Sequence, residues 1–205
     1  MALVRPTGRR SAAGPFFLEG ADMHRILAFD QSGLTGFCHG VPGDQPDLII
    51  NGTFKVAGSL TAPKRAKKLY RFVRDLIEAN EIGEVVLEEP ILPKVTSFAA
   101  VSSLAGYAMA ISWAADDFGI ACSMIRMQTW RSEFEVPTAA PRKIKGATER
   151  RKWVKDQTIA RCRRLGFNPS DDNAADAIGI WSCIANRRLA KERAPTFDIF
   201  SDARL

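Results

Sequence analysis

The stretch ILAFDQSGLTGF, residues 26–37, decides the first part of the fold. Its four leading apolar residues are followed by Asp30 and the turn residues 31–33, after which residues 35–38 return as a second apolar run. Short apolar runs separated by a glycine-containing turn are typical of a β-hairpin. The pattern therefore predicts a hairpin with a carboxylate at its first bend.

Outward from this hairpin, the apolar pattern predicts an alternation of strands and helices. The run 85–87 predicts a buried strand, which ends before Pro90 because proline cannot donate to a β-ladder. The other predicted elements are a strand over 48–56, a helix over 63–79, a helix over 97–118, a strand over 121–127, a loop from Trp130 and Arg131 onward, a basic helix over about 148–165 and a helix from Ser170 to about Ala190.

The chain length of 205 residues predicts one domain. Residues 1–23 are rich in Gly, Pro, Ala and Arg without a period, which predicts a flexible arm, and 193–205 read as a polar tail. The domain is therefore expected over residues 24–192. Because no apolar run approaches the ~20 residues of a membrane span, and the apolar stretch near residue 16 is too short for an export signal, we expect a cytoplasmic protein.

Positive charge is concentrated in one segment. The net charge is +6, and residues 126–164 hold twelve Lys and Arg against four Asp and Glu. Such clustering suits a polyanion, because each neutralised phosphate releases counterions, although a solvated basic helix without a partner is the alternative. The candidate DNA-binding residues are Arg131, Arg142, Lys143, Lys145, Arg150, Arg151, Lys152 and Lys155.

Three acids stand where the apolar pattern predicts burial or a strand end: Asp30, Glu88 and Asp176. An unpaired buried carboxylate is costly, so this placement needs a reason. If the first and fourth strands are neighbours and the last helix packs across them, the three carboxylates converge at one edge of the sheet. Crowded carboxylates repel one another unless a cation lies between them, and oxygen ligands favour Mg²⁺ or Mn²⁺. The pattern therefore predicts a metal site suited to phosphodiester hydrolysis.

Each acid also has a local explanation. Asp30 could be a turn residue, Glu88 and Glu89 could form a solvated strand end, and residues 171–172 could complement a helix dipole. A purely structural role is harder to assign to Asp176, because it lies within a helix between apolar residues. All the local explanations would have to hold together to remove the site.

Three motifs together resemble the RuvC-type Holliday junction resolvases. They are the stretch 26–37, VVLE at 85–88 and DNAADA at 172–177, and their order matches across about residues 25–190. The short spacing from Asp30 to Thr35 and the phrase TWR at 129–131 are similar to the branch encoded by phages and prophages.

The resemblance implies a ribonuclease H-like α/β fold, in which a five-stranded mixed sheet with its first three strands antiparallel is flanked by helices. It also implies a homodimer and Mg²⁺-dependent, symmetric nicking of four-way DNA junctions, at the nucleoid in the cytoplasm of a bacterial host cell. It selects Glu88 over Glu89. We expect the dimer to form through the helix 97–118, which carries almost no charge and contains Gly106.

Two departures from the family leave alternatives open. An aromatic wedge three residues after the strand-four acid is replaced here by Ile91, with Phe98 as a distant substitute. The last motif usually pairs two acids three residues apart, but Asn173 stands at the first place. The alternatives are a related nuclease acting on flaps, branched DNA or RNA–DNA hybrids, and a non-catalytic junction-binding module.

The fourth metal ligand is ambiguous in the sequence. Asp172 and Asn173 lie four and three residues before Asp176, so in a helix either one shares its face. A carboxylate neutralises a cation better than an amide oxygen, which favours Asp172, while Ser170 offers a helix cap. The predicted catalytic and metal-binding residues are Asp30, Glu88, Asp172 and Asp176.

Overall fold

The computed structural model describes residues 23–90 and 98–194, which form a central β-sheet with helices on both faces. The strands are β1 (Arg25–Asp30), β2 (Leu34–Gly40), β3 (Ile50–Lys55), β4 (Ile82–Glu88) and β5 (Ala121–Ile125). Their order is β3-β2-β1-β4-β5. β1, β2 and β3 pair antiparallel, whereas β4 is parallel to both β1 and β5. The predicted five-stranded mixed sheet is confirmed.

The helices are α1 (Ala62–Asn80), α2 (Phe98–Asp116), α3 (Met127–Glu133), α4 (Ala147–Arg164) and α5 (Asp172–Arg193). Helix α3 was not predicted: β5 ends at Ile125 rather than at 127, and Trp130 and Arg131 lie in a helix rather than in a loop. Seven residues are too few for helical periodicity to be visible in a sequence. Residues 1–22 of the predicted arm, most of the tail and the wedge position 91 lie outside the described residues.

Side chains of the sheet alternate between two hydrophobic cores. On one face, Ile26 and Ala28 of β1 lie in a buried cluster with residues of α3, α4 and α5. On the other face, Leu27 and Phe29 are buried with residues of α1 and α2. Successive strand residues face opposite sides of a sheet, so burial of both faces accounts for the continuous apolar runs of β1 and β4.

The first hairpin is closed by Thr35, which is completely buried. Its hydroxyl donates to the carbonyl oxygen of Ser32 at 2.6 Å, and the Ser32 amide donates back to the hydroxyl oxygen at 3.3 Å. This local exchange fixes the short bend after Asp30. Asp30 therefore stands at the carboxyl end of β1, the central strand of the sheet.

Gly36 allows the start of α5 to pack closely against β2. A Cβ atom at this position would overlap the backbone oxygen of Asn173, so only glycine allows the two backbones to approach this closely. Gly36 also pairs with Asp30 across the hairpin. The contact brings the first turns of α5 to the end of β1.

Helix α2 packs on α1 through one face and exposes the other. Tyr107 and Ile111 are buried, whereas Met109 and Trp113, four residues apart, are 47% and 56% exposed. Gly106, expected to permit close approach of a second copy, lies against Ala66 of α1. No helix in the described part of the chain is long and apolar enough to span a membrane.

Candidate active site

Asp30 and Glu88 lie side by side at the ends of two parallel strands. Phe29 of β1 is in register with Leu87 of β4, so the next residue of each strand is an acid. The side-chain amide of Gln31 donates to the backbone oxygen of Glu88 at 2.5 Å and ties the two strand ends together. The carboxyl ends of β1 and β4 therefore form the floor of the site.

Asp176 of α5 adds a third carboxylate. Burial raises the pKa of Asp30 well above its usual range, and the charges of Asp176 and Glu88 raise it further. Burial also raises the pKa of Asp176 to about 6; Arg131 opposes the shift, while Glu88 and Asp172 add to it. These mutual effects follow from like charges held close together. The structure thus brings the three predicted acids into one cluster.

Glu88 accepts a hydrogen bond from a residue whose role sequence reasoning missed. The indole nitrogen Nε1 of Trp130 donates to Glu88 Oε2 at 2.7 Å. Burial raises the pKa of Glu88, and this hydrogen bond opposes the rise. A buried tryptophan needs an acceptor for its N–H group, and that general requirement was the only available signal.

Arg131 lies inside the site rather than on the exposed basic surface. Its side chain is 7% exposed, and Nη2 lies 3.2 Å from Asp176 Oδ2. Its guanidinium carbon lies 4.7 Å from the centre of the Trp130 ring. Arg131 is therefore a buried counter-ion of the acidic cluster. The predicted contact between Arg131 and DNA stays a prediction.

Glu89 is not part of the cluster. Its carboxylate lies 3.1 Å from Nε of Arg126, and both side chains are largely exposed. The solvated strand end considered from the sequence thus describes Glu89, whereas Glu88 lies with the other acids.

Two acids at the start of α5, Asp171 and Asp172, have different partners. Asp171 is the helix cap, because its Oδ1 accepts from the Ala174 amide at 2.9 Å, so the expected cap at Ser170 is wrong. Asp171 Oδ2 also accepts from the Thr53 hydroxyl at 2.7 Å, a contact that only the fold creates. Asp172 forms an ion pair with Lys155 of α4.

The cluster has the donor chemistry of a divalent-cation site but is not assembled as one. Within residues 23–90 and 98–194, no three acidic, histidine or cysteine side chains are already arranged to hold a metal ion. Glu88 and Asp176 are instead engaged by Trp130 and Arg131. The carboxylates raise one another's pKa values because their charges repel, and a bound cation would remove that repulsion. Hard oxygen donors of this kind suit Mg²⁺. The residues therefore fit the predicted metal.

A cavity of about 430 Å³ opens beside Asp176, between the loop before α4 and α4 itself. Its cationic wall is formed by Arg131, Arg150, Arg151 and Lys155, and the apolar wall includes Val154. The remaining predicted basic residues, Arg142, Lys143, Lys145 and Lys152, are exposed nearby in the chain. A positively charged surface thus adjoins the acidic cluster.

Solved structures show the same fold. RuvC of Thermus thermophilus matches at 14% identity with a TM-score of 0.61, and the T. thermophilus RuvC in complex with a Holliday junction substrate matches at 15% and 0.59; each match covers 81% of this chain and 96% of that one. The yeast mitochondrial Holliday junction resolvase Ydc2 matches at 10% identity and a TM-score of 0.55, covering 84% of this chain and 82% of its own. No protein-family model and no curated protein sequence matches. The chain has the RuvC-type, ribonuclease H-like fold that the motifs implied.

Proposed function

We propose that this protein is a metal-dependent endonuclease that resolves four-way DNA junctions by paired phosphodiester hydrolysis. The observation that carries the proposal is the convergence of three partly buried carboxylates, Asp30, Glu88 and Asp176, beside a basic surface. The similar structure of T. thermophilus RuvC is in complex with a Holliday junction, which supports the choice of substrate. Its place of action would be the nucleoid of a bacterial host cell.

Asp30, Glu88 and Asp176, together with Asp172, are the residues that would hold Mg²⁺, and Mn²⁺ is expected to substitute for it. The cation would supply Lewis-acid stabilisation of the charge that develops on the phosphodiester. Without a cation, the carboxylates would repel an approaching phosphate, and the positive charges of Arg131 and Lys155 would only partly offset that repulsion.

The basic residues supply the binding energy for the strand. Arg150, Arg151 and Lys155 line the cavity beside Asp176, where phosphates of a strand entering the site would lie. Lys155 has a second role, since its ion pair holds Asp172 at the start of α5. The strand is therefore bound by α4 while the acids of β1, β4 and α5 act on it.

Two alternatives remain distinct from this proposal. A nuclease for flaps or RNA–DNA hybrids would use the same acids on a different substrate, and a non-catalytic module would bind junctions without cutting them. The acidic cluster argues against the second, because a surface that only binds DNA gains nothing from a cluster of carboxylates.

One experiment separates these possibilities. Purified protein is incubated with a labelled four-way junction, a duplex, a flap and an RNA–DNA hybrid, with Mg²⁺ or with a chelator. We expect symmetric, Mg²⁺-dependent cuts in the junction and little cutting of the duplex. Preferential cutting of the flap or the hybrid, or binding without cutting, would overturn the assignment.

We further propose a homodimer through α2. Met109 and Trp113 form an apolar stripe on the exposed face of a helix that packs on α1 through its other side. A second copy would cover this stripe and would place two acidic clusters in one assembly, as paired nicking requires.

The loop before α4 is expected to hold the DNA backbone. Neutralising Arg142, Lys143 and Lys145 to Gln should weaken binding to every DNA shape and lower the log–log salt slope by about 0.9 for each phosphate that the loop no longer neutralises. The control is a triple Gln variant of three exposed lysines of α1, Lys64, Lys67 and Lys68. Helix α1 packs on the face of the sheet opposite to α4. Equal slopes for the two triple variants would show that the loop charges are merely solvated.

Asp172 is expected to be the fourth ligand rather than Asn173. Its charge raises the pKa of Asp176, and Lys155 holds it beside the cluster, so Asp172→Asn should raise the Mg²⁺ concentration at half-maximal cleavage by about 10-fold. Asn173→Ala should change it by less than about twofold. Normal cutting by Asp172→Asn with an inactive Asn173→Ala would assign the position to the amide.

A further inference from the structure

The hydrogen bond between Trp130 and Glu88 joins a fully buried aromatic residue to an acid of the proposed active site. Trp130 is 0% exposed, and its indole nitrogen Nε1 donates a hydrogen bond to Glu88 Oε2 at an N···O distance of 2.7 Å. The other buried indole on this face of the sheet, that of Trp181, donates to the backbone oxygen of Gly40 at 3.3 Å. An N–H group directed at a carboxylate orients that carboxylate, whereas one directed at a backbone oxygen only satisfies the indole.

The Trp130 ring is held by packing against α5 and Arg131. A Cβ atom at Gly179 of α5 would lie 2.6 Å from Cζ3 of the ring, so the ring lies directly on the helix backbone. The guanidinium of Arg131 packs over the ring as well. A donor held in this way cannot follow Glu88 if the carboxylate rotates, so it fixes the position of Oε2.

We propose that Trp130 is a positioning residue that orients the Glu88 carboxylate for a divalent cation. The inference rests on the proposed function, because Glu88 is there assigned as a metal ligand. The indole engages only Oε2, which leaves Oε1 for coordination. Partners behind a ligand of this kind typically change metal affinity or activity by about 10–100-fold when they are removed. The neighbouring Arg131 holds Asp176, so one turn of α3 sets the geometry of two acids.

The test compares Trp130→Phe with Trp181→Phe, two variants that each lose one buried indole N–H. Mn²⁺ binding to the DNA-free protein is measured by electron paramagnetic resonance, with thermal melting as a check of folding. We expect Trp130→Phe to weaken Mn²⁺ binding by about 10-fold or more and Trp181→Phe to change it by less than about twofold. Junction binding in chelator should be the same for both.

Two further variants distinguish positioning from a general loss of structure. Gly179→Ala introduces a better helix former but should displace the ring and weaken Mn²⁺ binding, although it removes no polar group. In a Glu88→Gln background, Trp130→Phe should have no additional effect, because the carboxylate that it orients is gone.

Equal Mn²⁺ affinity in Trp130→Phe, Gly179→Ala and the unmodified protein would overturn the role of Trp130. So would a loss in Trp130→Phe that is equally large in the Glu88→Gln background. The proposed function fails by a different result: an unmodified protein that binds Mn²⁺ but leaves four-way junctions uncut.

Discussion

Asp30→Asn is expected to lower single-turnover cleavage of a four-way junction by about 10³-fold or more, equivalent to roughly 4 kcal/mol of barrier, while junction binding in chelator changes by less than about twofold. The physical reason is that Asp30 lies close enough to both Asp176 and Glu88 for their charges to raise its pKa, so a cation bound among these acids would contact it. Removing its charge removes one of the proposed metal ligands but none of the exposed basic residues. Glu88→Gln should behave in the same way.

The thermal stability of the Asp30→Asn variant at different pH values shows whether the variant is folded and whether the Asp30 carboxylate is destabilising. Because burial and repulsion raise the pKa of Asp30, its ionised form destabilises the folded protein at neutral and higher pH. This penalty is present above the raised pKa and vanishes as the pH falls below the unfolded value of about 4. Without divalent ions, Asp30→Asn should therefore raise the melting temperature at pH 8, and the difference should shrink toward pH 4.

Asp75→Asn is the matched control, since Asp75 is exposed on α1, on the opposite face of the sheet from α5. It should cut junctions at the normal rate and melt at nearly the normal temperature at either pH. Near-normal cleavage by Asp30→Asn would rule out the proposed site. A lower melting temperature for Asp30→Asn at pH 8 would show that the carboxylate is stabilised by contacts other than those described.

The second large effect is expected from Met109→Glu combined with Trp113→Glu. These residues form the exposed apolar stripe of α2, and two added carboxylates on each of two facing stripes would repel each other at the proposed dimer interface. We expect sedimentation at micromolar concentration to change from a dimer to a monomer of 22.6 kDa. Cleavage of a cruciform plasmid should then change from linear product to singly nicked circles, because the two cuts are no longer made within one complex.

The matched control is Leu48→Glu combined with Ile50→Glu, which adds the same charge to exposed apolar residues at the far edge of the sheet. It should remain dimeric and should still give linear plasmid. If the unmodified protein is a monomer at micromolar concentration, both the interface and the paired-nick mechanism are wrong. If the α2 variant stays dimeric, a surface other than α2 holds the subunits together.

Much of the fold could be predicted from the sequence, because its signals are local. The apolar runs of β1 and β4 are buried on both faces, and the 3.6-residue periodicity of α1 reflects contact with one core, so both patterns survive without knowledge of the neighbours. The motif around Asp30 marks a hairpin whose bend is closed by its own residues, Ser32 and Thr35. The order of these motifs then led to the correct fold.

The convergence of the acids was also predictable, but only given an assumed strand order. Parallel pairing of β1 with β4 places Asp30 beside Glu88, and packing of α5 across them, seated by Gly36, brings Asp176 close. Periodicity could not choose between Glu88 and Glu89. The structure separates them, since Glu89 pairs with Arg126 on the surface.

The partners of the acids were decided by the tertiary structure alone. Trp130 reaches Glu88 across 42 residues and Arg131 reaches Asp176 across 45, yet both lie in a seven-residue helix whose local pattern resembles a loop. The sequence marks Arg131 as one more cation of a basic segment, whereas the fold buries it as a counter-ion. Local sequence patterns report the chain's own periodicity and turn chemistry. Which distant groups share a buried site depends on how helices pack across the sheet, and the cost of leaving a buried N–H or carboxylate unpaired then selects their partners.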